Sequence, residues 1–241
     1  MLFVSRPLCV RSLALCLAVS LAALVAAPVA QAQSSSTNTA LDKQLSRLDL
    51  GLNATYSHTF TVSGTNAVGP PGSSFNVPVT QKVSNTTGAL LQFRYTRSPW
   101  VGGEFNISYA RNTHNFTTTS VCTDPTECPF PLGVQTNALS FMLGYIVHPP
   151  HQIAGLQPFL GGGMGLMYFH TTSGGGQGLQ KQGVGGAYYT VGVEKEIVPH
   201  LGVRGQFRQL FYLAPDFYLP FLTIQKQTST MEPAIGIYLH Y

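Results

Sequence analysis

The sequence predicts an all-β fold: an eight-stranded antiparallel up-and-down transmembrane β-barrel. Three observations carry this expectation. Eight segments alternate with period two, and the apolar face of each lacks Asp, Glu, Lys and Arg. Long connections after the first, third, fifth and seventh segments interleave with short ones after the second, fourth and sixth. Tyrosines also fall at two heights, Tyr56, Tyr109, Tyr168 and Tyr189 toward one rim and Tyr95, Tyr145 and Tyr241 toward the other. A lipid-embedded barrel has a physical reason for each feature, because amphipathic rings collect where hydrocarbon meets water and charges avoid the hydrocarbon face.

Composition agrees without deciding. Only 9% of the 241 residues are charged, with Gly 25, Pro 16 and 11% aromatics. Soluble domains carry about 25% charged residues. A weakly charged β-sandwich would share this composition. No apolar stretch beyond the N-terminus approaches the ~18 residues of a helical span. In hydrocarbon only helices and closed barrels satisfy every backbone hydrogen bond.

The first 32 residues read as a secretory signal peptide. Arg6 and Arg11 precede an apolar run over 13–25, and Ala30-Gln31-Ala32 offers a small-x-small cleavage site. Its removal would leave 11 basic and 9 acidic residues, a net charge of +2. No basic patch interleaved with aromatics is present, so nucleic acid is not an expected partner. Cys9 and Cys16 leave with the leader, and the remaining pair, Cys122 and Cys128, is expected as a disulfide in an exported chain.

Residues 33–47 read as a polar N-terminal tether, and 48–241 as the barrel. The first strand alternates Leu48, Leu50, Leu52, Ala54 and Tyr56 with small and polar residues. Residues 58–87 are rich in Gly, Pro, Ser, Thr and Asn and read as a long loop, with room for extended edges. The second and third strands put Ala89, Leu91, Phe93 and Tyr95, then Val101, Gly103, Phe105, Ile107 and Tyr109, on the apolar face, joined at Ser98-Pro99-Trp100. Residues 112–135 read as a second long loop. The fourth strand carries Leu139, Phe141, Leu143 and Tyr145, and the fifth Leu160, Met164, Leu166 and Tyr168, its other face being mostly glycine. After a Gly-rich loop at 171–183 come Ala187, Tyr189, Val191 and Val193, a short turn at Val198-Pro199-His200, and Leu201, Val203, Gly205 and Phe207. A last long loop at about 213–226 precedes the eighth strand, where Ile235, Ile237, Leu239 and Tyr241 share one face and Glu232, Ala234, Gly236, Tyr238 and His240 the other.

That final strand resembles the terminal strand of bacterial outer-membrane β-barrels, with Gly236, Leu239 and Tyr241 as its signal positions. Tyr241 stands where Phe is most frequent. Over 48–241 the chain resembles the small eight-stranded OmpA-type transmembrane domain, without a peptidoglycan-binding domain after it. The resemblance implies the Gram-negative outer membrane and its lipid, closure of the last strand against the first, and recognition by the barrel-insertion machinery. A monomer is expected, and no cofactor.

The inward face holds the charges. Reflection about Pro99 sets Arg94 opposite Glu104, and reflection about Pro199 sets Glu194 opposite Arg204, with Arg208 and Glu232 placed to extend the second pair. These six residues form the candidate lumen network. One reading is a gate or narrow path for ions or small solutes. The other is a structural plug, favoured because eight strands leave an interior just wide enough for side chains and buried charges must be paired. His148 and His151 flank two prolines and read as an exposed turn rather than a metal site. No nucleophile, base and orienting group assemble, and the His-x-Ser pattern of lipid-deacylating barrels is missing from His58-Thr59-Phe60 and His170-Thr171-Thr172. The expected role is therefore structural or surface-interactive rather than enzymatic, carried by long outer loops over a plugged polar lumen.

Overall fold

The computed structural model describes residues 46–68, 75–118 and 131–240. The leader, most of the tether, Cys122, Cys128 and Tyr241 lie outside these residues. Ten strands follow in chain order: β1 (Leu48–Thr59), β2 (Val62–Val68), β3 (Phe75–Val83), β4 (Thr86–Thr96), β5 (Val101–Thr118), β6 (Leu132–Val147), β7 (Gln157–Thr171), β8 (Gln182–Val198), β9 (Leu201–Leu213) and β10 (Gln227–His240). Eight of them close a ring, β1-β4-β5-β6-β7-β8-β9-β10 and back to β1, each antiparallel to its neighbours.

The stagger of the ring follows from the pairing. Leu48 pairs with Tyr95, then the ladder runs through Gly103, Tyr145, Gly162, Tyr189, Gln209 and Met231 to His58. One circuit therefore climbs ten residues along β1. At ~3.3 Å per residue and ~4.8 Å between strands, a ten-residue climb over eight strands tilts them by about 40°. The eight steps from Leu48 to Tyr56 then rise by about 20 Å, close to the ~25 Å height of a lipid-facing band. Outward side chains in this band are apolar and exposed, among them Leu50, Leu52, Phe141, Leu143, Met164, Leu166, Ile235 and Ile237. Beyond Tyr109 the outward face of β5 turns to Arg111, Thr113 and Asn115, so β5 continues past the membrane.

Strand content exceeds the sequence expectation outside the band. Residues 58–87 contain the β2–β3 hairpin rather than a plain loop. Between 112 and 135, β5 and β6 stay paired out to Phe116↔Leu132. The β2 strand continues β1 beyond Phe60, and β3 pairs with the outer end of β5 from Val79↔Thr118 to Val83↔His114. Loop composition concealed these strands because Thr and Asn tolerate turns, yet here they form an aqueous extension paired through its own backbone.

The interior is built from large side chains set across from glycines. Tyr238 pairs with Gly202, Phe159 with Gly192, Tyr188 with Gly163 and Tyr212 with Gly186. A Cβ on Gly202 would stand 2.5 Å from the Tyr238 hydroxyl, and one on Gly192 2.5 Å from Phe159 Cζ. Gly202 and Gly192 let a ring lie against the opposite strand, so there the thin glycine wall and the wide aromatics are one packing device.

Candidate functional site: the closed lumen

The lumen has three layers. At the periplasmic end a vestibule of about 1040 Å³ opens between the turns, with Asp49, His148, Glu194 and Tyr238 among its lining. Above it lies the ion network. Arg94 Nε donates to Glu104 Oε2 at 2.5 Å, and Arg94 Nη1 donates to Glu194 Oε2 at 3.1 Å. Arg204 Nε donates to the same Glu194 oxygen at 2.9 Å. The second Glu194 oxygen faces His148 Nε2 at 3.2 Å.

The network is stacked as well as charged. The Arg94 guanidinium sits 4.3 Å above the Phe159 ring, and Arg204 sits 4.6 Å above the Tyr238 ring. Glu104 also accepts from Asn106 Nδ2 at 2.6 Å and from the Tyr188 hydroxyl at 3.2 Å. Gln92 Nε2 donates to Asn106 Oδ1 and Gln206 Oε1, tying β4 to β5 and β9. Arg94, Arg204 and Glu104 are each 1% exposed, while Glu194 keeps 12% of its side chain open toward the vestibule.

The sequence reading sets Arg208 and Glu232 as an extension of the Glu194–Arg204 pair. In the structure they are a separate pair further out, facing each other across β9 and β10, with Ser57 donating to Glu232 Oε1 at 3.2 Å. His148 departs from the exposed-turn expectation. It is buried because the inward parity of β6, through Met142, Gly144 and Ile146, continues one step past the strand end. That parity was the available signal for it. His151 is exposed. His240 at the rim meets Asp49, whose other oxygen lies 4.0 Å from Arg204 Nη2 of the network.

The outer layer is apolar, which departs from a lumen polar throughout. Phe116, Val134, Met167, Phe169, Leu210, Tyr212, Phe217, Leu222 and Ile224 form one buried cluster beneath the β2–β3 hairpin and the connection between β9 and β10. Phe217 carries the closure from that connection, and both it and Tyr218 adopt positive φ, 52° and 60°. Gly64 on β2 lets Ile224 approach closely. His114 lies inside this cluster, above the outer tyrosines and beyond the membrane-spanning part of β5. Its ring stands edge-on to Phe169 at 5.3 Å and to Phe217 at 5.5 Å. Gln81 Nε2 donates to His114 Nδ1 at 2.9 Å, which leaves the proton of the neutral ring on Nε2. Burial pulls the His114 pKa down to about 3. Between the polar and apolar layers remains a cavity of about 20 Å³ bordered by Ser57, Ser108, Ser140 and Glu232.

Residues 17–224 match the family model of the outer membrane protein beta-barrel domain. The chain belongs to this family. It is an outer-membrane protein, and the outward apolar band of its barrel meets outer-membrane lipid. The fold is similar to that of the outer membrane protein OprG from Pseudomonas aeruginosa, at 12% identity over 80% of this chain and 94% of that one, with a TM-score of 0.52. Neisserial surface protein A also matches, at 12% identity over 80% of this chain and 97% of that one, with a TM-score of 0.45. The N-terminal barrel domain of Pseudomonas aeruginosa OprF matches at 14% identity over 79% of this chain and 97% of that one, with a TM-score of 0.39. No curated protein matches the sequence. Among the described residues no group of three or more His, Cys, Asp or Glu side chains is arranged to hold a metal.

Proposed function

We propose that this outer-membrane barrel is a structural and surface-interaction protein whose lumen does not conduct. The observation that carries the reading is the bond from Arg94 to Glu194. In the eight-strand ring β4 and β8 stand diametrically opposite, so this ion pair spans the lumen at its full width. Glu104 on β5 and Arg204 on β9 are likewise opposite, and Asn106 reaches Tyr188 from β5 to β8. The apolar cluster around Phe217 supports the same reading at the outer end. A path for ions would have to part both layers.

Planar-bilayer recording of the purified protein tests this. The expected result is conductance at background, and a steady single-channel current would overturn the reading in favour of a small-solute channel. The 1040 Å³ vestibule is the feature that favours that second reading, since it is a solvated entry on one side.

The same reading assigns the barrel no catalytic role. Mass spectrometry of lipid A from cells with and without the protein should give identical spectra. It also casts the protein as a monomer that enters the membrane through its closing strand, whose outward Ile235, Ile237 and Leu239 are exposed and whose register against β1 runs from Asp49↔His240 to Thr59↔Thr230. The leader over 1–32 is proposed to be cleaved, which N-terminal sequencing of the membrane fraction checks.

A further inference from the structure

We propose that residues 214–226, the connection between β9 and β10, form a stopper that leaves the outer mouth of the barrel as one unit, and that Gln182 is the latch that holds it in. The base of the connection is closed. Leu213 pairs with Gln227, and one step further out the Ala214 amide donates to the Lys226 carbonyl at 3.0 Å. A short surface connection whose ends meet in this way and which packs on its own side chains is an Ω-loop.

The loop is hydrogen-bonded to itself. Asp216 stands at its centre: Oδ1 accepts from the Tyr218 amide at 3.1 Å, and Oδ2 accepts from the Thr223 hydroxyl at 3.0 Å. The amides of Leu219, Leu222 and Thr223 donate to the carbonyls of Asp216, Leu219 and Pro220, around the 3-10 turn Pro220–Leu222. Both partners of each of these bonds belong to the loop. Movement of the whole loop therefore breaks none of them.

Two neutral side chains of the wall grip it. Gln182, at the outer end of β8, accepts at Oε1 from the amides of Asp216 at 2.9 Å and Phe217 at 2.6 Å, and donates from Nε2 to Asp216 Oδ1 at 2.9 Å. Gln81 on β3 donates to the Pro215 carbonyl at 3.4 Å. On the underside Phe217, Leu222 and Ile224 are buried in the mouth, and the Phe217 ring stands edge-on to His114 and Phe116.

The backbone at the latch is strained. Phe217 and Tyr218 are adjacent aromatic residues with φ of 52° and 60°. Bulky side chains are disfavoured there, because the Cβ crowds the following carbonyl. Gln182 grips the Asp216 and Phe217 amides, and so holds the chain in this left-handed turn. Phe217 is thereby buried while Tyr218, the next residue, is 60% exposed. Once the latch bonds pass to water, the turn relaxes toward negative φ, and the same rotation draws Phe217 out of the mouth. Strained backbone held by a few neutral hydrogen bonds is an element with two states. The Arg94–Glu194 layer lies nearer the periplasm and has its own bonds, so this inference is independent of whether the lumen conducts.

Hydroxyl-radical footprinting of the purified protein in lipid nanodiscs, read residue by residue by mass spectrometry, measures side-chain exposure. Each lost hydrogen bond shifts an equilibrium of this kind by about fivefold, so Q182A should raise the labelling of Phe217, Leu222 and Ile224 by about tenfold or more, and by one common factor. Phe159 and Tyr188, deeper in the barrel, should label as in the native protein. A second variant tests the strain. Asn enters the left-handed region several-fold more readily than a bulky residue and position 218 is exposed, so adding Y218N to Q182A should lower the labelling of the three underside residues about threefold. Unchanged labelling of Phe217 in Q182A would overturn the latch. A rise at Phe217 alone, with Leu222 and Ile224 still protected, would overturn movement as a unit. An equal rise at Phe159 would show the barrel loosening as a whole and overturn the stopper, and higher labelling on adding Y218N would overturn the strained turn.

Discussion

Arg94 on β4 reaches Glu194 on β8 at 3.1 Å, and the two strands face each other across the barrel's diameter. Cross-strand pairing joins each residue to a neighbour, Arg94 to Glu104 and Glu194 to Arg204. The transverse bond turns two adjacent pairs into one layer. Glu194 is its hub, since it meets Arg94, Arg204 and His148 at once.

A hub of this kind predicts non-additive energetics. Removing one partner of a buried ion pair costs about 3–5 kcal/mol because the other charge stays uncompensated. E194Q removes the carboxylate that Arg94 and Arg204 share, leaving Arg94 with Glu104 and Arg204 with Asp49 at 4.0 Å, and should fall within that range, as should R94M, which leaves Glu104 unpaired, and R204M. The double variants E194Q/R94M and E194Q/R204M should each lose less than the sum of their singles. Urea unfolding in lipid vesicles measures the coupling, and additive losses would mean that the charges act independently.

The pairing of rings with glycines predicts a steric rescue. G202V places side-chain atoms where the Tyr238 ring lies and should cost about 1–3 kcal/mol through overpacking. Adding Y238A removes the ring and should recover part of that loss, although Y238A alone destabilises by leaving a cavity and by uncovering Arg204. Equal losses in G202V and in the double variant would show that Tyr238 does not occupy the space over Gly202.

His114 predicts an acid-sensitive outer closure. Its folded pKa of about 3 is below the unfolded value of 6.5, so the unfolded chain binds the extra proton first. The neutral ring's contribution to stability is fully present above pH 6.5 and is lost as pH falls from there toward about 3. The protection factors of the amides of Phe217 and Leu222, with exchange corrected for its intrinsic pH dependence, should fall over that window in the native protein. Replacing His114 by Gln should flatten the dependence. Protection factors that are unchanged between neutral pH and pH 4 would refute it.

The disulfide proposed between Cys122 and Cys128 would close a small loop between β5 and β6. Its loss should leave barrel unfolding unchanged while speeding protease cleavage of that connection. Peptide mass mapping without reduction decides it, and two free thiols there would remove the proposal.

The amino-acid sequence by itself determined the membrane-spanning band. Period-two alternation is a local property, and lipid demands that every outward side chain at that height be apolar, so Leu48 through Leu239 could be assigned a face without knowing a single contact. Short turns at Pro99 and Pro199 likewise fixed local reflection, which is why Arg94 lands opposite Glu104 and Glu194 opposite Arg204 in the register. Three things needed the tertiary structure. The bond between Arg94 and Glu194 depends on ring closure, because only an eight-membered ring makes β4 and β8 opposite. The burial of His148, and of His114 beside Phe217, depends on what fills the two ends of the ring, and neither neighbour is close in sequence. The apolar outer closure brings together β3, β5, β6, β7, β9 and the connection before β10, and its parts within 58–87, 112–135 and 213–226 read locally as loop. Lipid contact acts on each strand separately and leaves a periodic trace in the chain; closure of the lumen acts between distant strands and leaves none.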